Sequence, residues 1–178
     1  MKASVFIAAS LDGFIARENG DIDWLSLAYD EEDAEDYGYQ EFMDSVDVLI
    51  MGRKSFEKVL TFGEWPYGDK RVVVLSSRSL AIPDGIADTV ESKSCTADDL
   101  VKQLSESGAN HLYIDGGKTI QGFLSAGLIQ QFIITIVPIL LGGGIPLFGL
   151  LNDDIKLNHV ETRSYSNGLV QSKYEVAG

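Results

Sequence analysis

Three short runs of purely apolar residues constrain this chain more than any other feature. Val5-Phe6-Ile7-Ala8-Ala9, Val48-Leu49-Ile50-Met51 and Val72-Val73-Val74-Leu75 show no polar alternation. Runs of this kind fit strands buried on both faces. Helical stretches separate them. Asp30 to Asp47 carries Ala34, Tyr37, Phe42 and Val46 loosely at helical spacing, and a shorter helix opens at Gly52 and runs to about Leu60. Strand–helix alternation predicts a mainly parallel sheet with helices on both faces.

The pattern continues downstream. Ala87 to Glu91 reads as a weaker strand. Thr96-Ala97-Asp98-Asp99 resembles a capping box ahead of Leu100, Val101 and Leu104, and Gly108 is placed to end that helix. His111 to Ile114 is a strand, Gly116-Gly117 leads into a helix through Ala126, and Phe132 to Val137 is a strand again. Leu157 to Val176 alternates around Asn167-Gly168, a strong hairpin signal that predicts an antiparallel edge.

With 178 residues and no linker or repeat, the expectation is one domain over 1–178. Its 45% hydrophobic content excludes disorder as the main state. A net charge of −13 repels phosphate backbones and anionic membranes, so neither nucleic acid nor a membrane surface is an expected partner. No apolar run approaches the ~18 residues of a membrane span, and the start is too short in apolar residues for a signal peptide. A single cysteine, Cys95, excludes an internal disulfide and fits a reducing, cytoplasmic setting. With His111 and His159 far apart in sequence, no metal site is expected.

Ligands of open α/β sheets bind beyond the carboxyl ends of the strands, so the residues that follow each strand are the candidates. Ser10 to Ala16 follows the first, Gly52-Arg53-Lys54-Ser55 the second, Ser76-Ser77-Arg78 the third and Asp115-Gly116-Gly117-Lys118-Thr119 a later one. Three of the four place a cation beside hydroxyls or glycines in an acidic protein. Glycines let backbone N–H groups reach a pyrophosphate, and Arg or Lys with Ser hydroxyls suits a phosphate monoester. A phosphorylated dinucleotide such as NADPH meets both needs. Gly117-Lys118-Thr119 is not the end of a Walker A loop, because Leu112 stands where that loop needs Gly. Taken alone, Gly116-Gly117 is also what a tight strand-to-helix turn requires.

The order of these segments resembles the dihydrofolate reductase superfamily over nearly the whole chain. Val5–Ala9 with Leu11-Asp12-Gly13-Phe14-Ile15-Ala16 and Trp24 is similar to its first strand and mobile loop. Ile50-Met51-Gly52-Arg53-Lys54-Ser55 is similar to its G-R-x-[ST] motif, Leu75-Ser76-Ser77 to its L-S-S segment, and Ile114-Asp115-Gly116-Gly117 to its I-x-G-G turn. The stretch from Val137 through Gly142-Gly143-Gly144 to Phe148 resembles the branch grouped with the reductase half of the bifunctional riboflavin-pathway deaminase–reductase.

The resemblance implies a three-layer dihydrofolate reductase-like α/β fold, with a mostly parallel sheet, a C-terminal antiparallel hairpin and helices on both faces. It implies an NADPH-dependent oxidoreductase that passes hydride to a C=N or C=O bond of a pyrimidine- or pterin-type heterocycle, of the type 5-amino-6-(5-phosphoribosylamino)uracil reductase. The implied cofactor residues are Ala9, Ile15, Gly52, Arg53, Lys54, Ser55, Leu75, Ser76, Ser77, Arg78, Asp115, Gly116, Gly117, Lys118 and Thr119. The 2′-phosphate falls to Arg53–Ser55 with Ser76–Arg78, and the pyrophosphate to Gly116–Thr119. Leu11 to Trp24 closes over the nicotinamide. Phe6, Asp33, Asp36 and Thr135 are the implied substrate contacts, and Asp36 and Trp24 the catalytic candidates, with Asp36 as a buried carboxylate holding a proton-donating water.

Two departures keep other readings open. Asp30 to Asp36 holds six acids in seven residues, which an acidic, solvated helix start explains as well as a substrate anchor does. No Lys or Arg occurs between Arg17 and Arg53, which argues against a phosphorylated substrate. A dihydrofolate reductase proper and a non-catalytic NADPH-binding domain therefore stand as alternatives. Trp24 and Thr135 each also fit a purely core role. The apolar Ile129–Leu150 segment fits a homodimer contact or a buried strand equally.

Overall fold

A computed structural model describes residues 1–27 and 35–178. Its centre is an eight-stranded sheet in the order β5-β4-β3-β6-β1-β7-β10-β9. The strands are β1 (Lys2–Ser10), β3 (Val48–Gly52), β4 (Arg71–Leu75), β5 (Val90–Lys93), β6 (His111–Asp115), β7 (Gln131–Val137), β9 (Leu157–Ser164) and β10 (Val170–Val176). Every pair from β5 to β7 is parallel, and β10 runs antiparallel to both β7 and β9. This is the expected α/β architecture, with the hairpin at the edge.

The unbroken apolar runs arise because two cores share the sheet. Val48, Ile50, Val73, Leu112 and Ile114 face one core with Leu100 and Leu104 of α3 (Ala97–Glu106) and Ile120 and Phe123 of α4 (Gly117–Ser125). Leu49, Met51, Val72, Val74 and Tyr113 face the other, with Phe42 and Met43 of α1 (Tyr39–Ser45) and Phe56 of α2 (Arg53–Val59). Each fully buried side chain of this size contributes about 1.5–3 kcal/mol. Thr96 caps α3, but the reciprocal bond of a capping box is replaced by a side-chain one: Thr96 Oγ1 accepts from the Asp99 N–H at 3.2 Å and donates to the Asp99 carboxylate at 2.7 Å.

Three expectations are corrected. The helix expected over 30–47 begins only at Tyr39 among the described residues, because Tyr37 (φ 56°) and Gly38 (φ 79°) adopt left-handed backbone that a helix cannot contain. The strand expected at Ala87–Glu91 lies at Val90–Lys93, after a 3-10 turn at Asp84–Ile86. The Ser10–Trp24 stretch is not all turn. Its β2 (Phe14–Ala16) pairs antiparallel with β8 (Ile145–Pro146), a partner some 130 positions away that no local pattern announces. No helix of the described residues is long and apolar enough to cross a membrane.

Candidate active site

The sheet order makes neighbours of the cation-bearing loops. Strands β4, β3 and β6 are adjacent and parallel, so Ser76–Arg78, Gly52–Ser55 and Asp115–Thr119 emerge side by side at one edge of the sheet. The two helix starts there interlock through glycine. A Cβ on Gly52 would come to 3.0 Å from Thr119 Oγ1, and one on Gly116 would run into the Ser55 hydroxyl. Gly116 also has φ +88°, which other residues rarely adopt. These glycines bring hydroxyls from α2 and α4 together beside the backbone N–H groups that open α4.

The remaining cofactor candidates take varied places. Arg53 is half-buried and pairs with Glu57 at 2.6 Å, while Lys54, Lys118, Ser77 and Arg78 are exposed. The Ser76 hydroxyl closes a turn with the Arg78 backbone, accepting its N–H at 3.1 Å and donating to its carbonyl at 2.9 Å. Leu75 ends β4, and Ala9 is buried in the core against α4. Ile15 lies against Gly117, where a Cβ would meet its Cδ1 at 3.2 Å. The Phe14–Ala16 segment is thereby held beside the start of α4.

A clamp fixes that segment. The Asp12 carboxylate accepts from Ser10 Oγ at 2.6 Å and from the Leu141 and Gly142 N–H groups at 3.1 and 2.7 Å, which holds Asp12 below the usual carboxylate range. Gly144 passes so close to the Ala16 carbonyl that a Cβ would collide with it. The triple glycine is thus the seat of the loop that precedes it by more than a hundred residues.

The substrate candidates divide. Phe6 packs at 5.5 Å from Tyr39 and 5.0 Å from Phe42. Thr135 is buried, and its hydroxyl accepts from Gln171 Nε2 at 3.0 Å, so it is engaged within the fold. Asp33 lies outside the described residues. Asp36 is exposed, where the resemblance implied a buried carboxylate. Its two oxygens accept the Gln40 and Gly38 N–H groups at 2.9 Å each, which lowers its pKa and ties it to the first turn of α1, whose N-cap is Gly38. A carboxylate held ionised in solvent does not store a proton near neutrality, so the expected proton source is corrected. Trp24 is buried among Tyr37, Val137 and Leu169, a core position, with its indole N–H unpartnered among the described residues.

The carboxyl that does fit acid chemistry is Asp115. Burial at the end of β6 pushes it up to about 6, against the opposing pull of the Gly116 N–H at 2.8 Å. Tyr39, Tyr67 and Tyr113 lie close enough to feel its charge, and the Tyr113 hydroxyl donates to the Phe6 carbonyl at 2.9 Å. Trp65 stacks edge-on against Tyr67 at 5.1 Å and Phe56 at 5.9 Å. Sequence reasoning grouped Asp115 with the cofactor and missed Tyr39, Trp65 and Tyr67. The Trp65-Pro66-Tyr67 pair of aromatics in a loop was the available signal.

A mostly parallel sheet with glycine-built loops beside a half-buried acid and aromatic side chains defines a dihydrofolate reductase-like α/β protein. The chain belongs to the RibD C-terminal domain family, whose model matches residues 2–171. It is 36% identical over 171 residues to the uncharacterised protein YwjB of Bacillus subtilis (strain 168), covering 94% of each chain. A crystal structure of a Shewanella sp. PV-4 protein named for riboflavin biosynthesis is 41% identical, with a TM-score of 0.93 and full coverage of both chains. The deaminase/5-amino-6-(5-phosphoribosylamino)uracil reductase of Thermotoga maritima superposes with a TM-score of 0.74 at 15% identity, over 99% of this chain and 56% of that one. At that identity the likeness speaks for the fold.

Proposed function

We propose that this protein is an NADPH-dependent reductase that delivers hydride to a C=N or C=O bond of a pyrimidine- or pterin-type heterocycle. The observation that carries the reading is the interlocked pair Gly52–Thr119 and Gly116–Ser55 directly beside Asp115. A cradle that any Cβ would fill suits the close approach of a pyrophosphate. Gly116, Gly117, Lys118 and Thr119 would hold it, and Arg53 with Ser76–Arg78 would hold the 2′-phosphate. NADPH, when bound, supplies the hydride.

The protein's own part is orientation and a proton. Tyr39 and Tyr67 give flat apolar walls for a heterocycle. Asp115, with a pKa near 6, keeps a proton available close to neutral pH and can give it to a ring nitrogen or carbonyl oxygen. The Phe14–Ala16 segment, seated on the triple glycine, covers the start of α4 and excludes water. Membership of the RibD C-terminal family and the name of the Thermotoga relative support a ribosylaminopyrimidine as the first substrate to assay.

The test is a fluorescence titration of the purified protein with NADPH and separately with NADH, followed by turnover on ribosylaminopyrimidine and dihydrofolate substrates. Micromolar NADPH binding, much weaker NADH binding and turnover support the reading. Failure to bind either nucleotide overturns it.

A further inference from the structure

Beside α1, towards the amino ends of β1 and β6, a cavity of about 240 Å³ opens over the sheet. Its floor is Phe6 of β1, Ile133 of β7 and Lys173 of β10, which the strand register aligns in one row. Phe42 and Glu41 of α1 form one wall. Lys2 and His111 close the end at the amino termini of β1 and β6. The cofactor loops leave the opposite, carboxyl ends of the strands. The nine residues of β1 separate Lys2 from Ser10 by roughly 25 Å at the usual rise per residue.

The charges here are unlike those of the rest of the molecule. The protein carries −13, yet Lys2, Arg163 and Lys173 converge on this one cavity. Arg163 is tied to Glu161 at 3.1 Å. Among the described residues, neither Lys2 nor Lys173 has a carboxylate within ion-pair distance. Lys2 is partly withdrawn from water and also repelled by Lys173 across the cavity, so its pKa falls despite the pull of Glu175. Glu41 stands on the exposed rim and acts on Arg163. His111 is engaged with Ser4 Oγ at 2.8 Å and the Ser45 carbonyl at 2.9 Å, and burial lowers its pKa, so it adds little positive charge near neutrality. The fold thus keeps two lysines together beside an aromatic floor, with the nearby carboxylates beyond ion-pair distance of either, an arrangement that an incoming anion relieves.

We propose that this cavity is a second ligand site, for a small flat molecule with an apolar ring and one anionic group, carboxylate or phosphate monoester. The ring lies on Phe6, Phe42 and Ile133, and the anion meets Lys2 and Lys173. The volume is below the ~300 Å³ at which pockets for drug-sized ligands begin, so the ligand is of fragment size. Glu41, Glu161 and Glu175 nearby select against molecules with several negative charges. Because α1 is a wall of this cavity and also carries Tyr39 beside Asp115, occupancy stiffens that helix.

The test uses the full chain without nucleotide, so its outcome is independent of the reductase reading. Benzoate, phenyl phosphate and neutral benzamide are titrated separately by amide chemical-shift perturbation. A Kd of about 1 mM or tighter for benzoate identifies a carboxylate ligand, and the same for phenyl phosphate a phosphate ligand. In either case shifts centre on Lys2, Phe42 and Lys173, affinity weakens as salt rises, and it drops at least tenfold in Lys2→Gln and in Lys173→Gln. Absence of saturable binding by both anions overturns the proposal, as does equal binding of benzamide or unchanged affinity in both variants, each confirmed folded by its unperturbed spectrum.

Discussion

Gly116 and Ser55 face each other across the gap between the β6–α4 turn and α2, with no room between them for a single methyl group. Gly116→Ala therefore meets two penalties, a positive-φ backbone (φ 88°, ψ 139°) that costs a residue with a Cβ about 1–3 kcal/mol and the collision with the hydroxyl. The variant is expected to melt lower and to lose NADPH binding by tenfold or more. Adding Ser55→Gly removes the collision and leaves the backbone cost, so the double variant recovers part of the stability. Calorimetry on both variants checks this. Equal melting points for the single and double variants would refute the contact.

Arg53, Ser76 and Arg78 are assigned to the 2′-phosphate. Replacing all three with Ala is expected to erase the preference for NADPH over NADH while leaving NADH affinity nearly unchanged. Hydrogen bonds to charged groups contribute about 1.5–3 kcal/mol each, so the loss for NADPH should reach tenfold or more. Parallel titrations of the two nucleotides measure it.

Asp115 gives a pH signature in both stability and rate. Its folded pKa of about 6 lies above the ordinary 3.8, so the unfolded chain releases this proton at lower pH than the folded one. Its contribution is fully present below about pH 4 and is lost as pH rises through about 6. Asp115→Asn, which cannot ionise, should flatten that part of the stability curve and be the more stable form at pH 8. The rate profile should fall above about pH 6 in the parent chain. Turnover in Asp115→Asn should drop by about 10²–10⁴, the usual worth of a positioned acid. A parent profile flat from pH 5 to 8 would remove Asp115 from the proton step.

Asp12 holds the triple-glycine segment by two backbone N–H groups. Asp12→Ala is expected to speed amide hydrogen exchange at Leu141, Gly142 and residues 14–16, with α3 unaffected. Its effect should fall on nucleotide release and turnover more than on melting temperature, because the residue is exposed.

Thr96→Ala serves as the contrasting case. It removes the cap of α3 and should cost about 1 kcal/mol, read as a shift in denaturation midpoint. Nucleotide affinity should change much less than in the Arg53, Ser76 and Arg78 variant, since the Thr96 hydroxyl is spent on Asp99 at the start of its own helix.

What the sequence determined by itself was everything set by short-range periodicity and by chain order. Val48–Met51 and Val72–Leu75 had to be strands covered twice, since unbroken apolar runs have no side to give to water. Asn167-Gly168 had to turn a hairpin, because Gly168 takes φ +89° without strain. Glycines and hydroxyls after successive strands raised the expectation of phosphate-type loops. Tertiary structure decided the rest, because burial and partner choice depend on residues far apart in sequence. Asp36 and Asp115 are both acids at element boundaries. One became an exposed carboxylate tied to the first turn of α1 because Gly38 and Gln40 turn their N–H groups to it. The other is raised because the end of β6 is withdrawn from water, in surroundings to which α1 and the loop before β4 bring Tyr39 and Tyr67. The pairing of Phe14–Ala16 with Ile145–Pro146, and the meeting of Lys2 with Lys173, likewise exist only once the sheet has brought the two ends of the chain together.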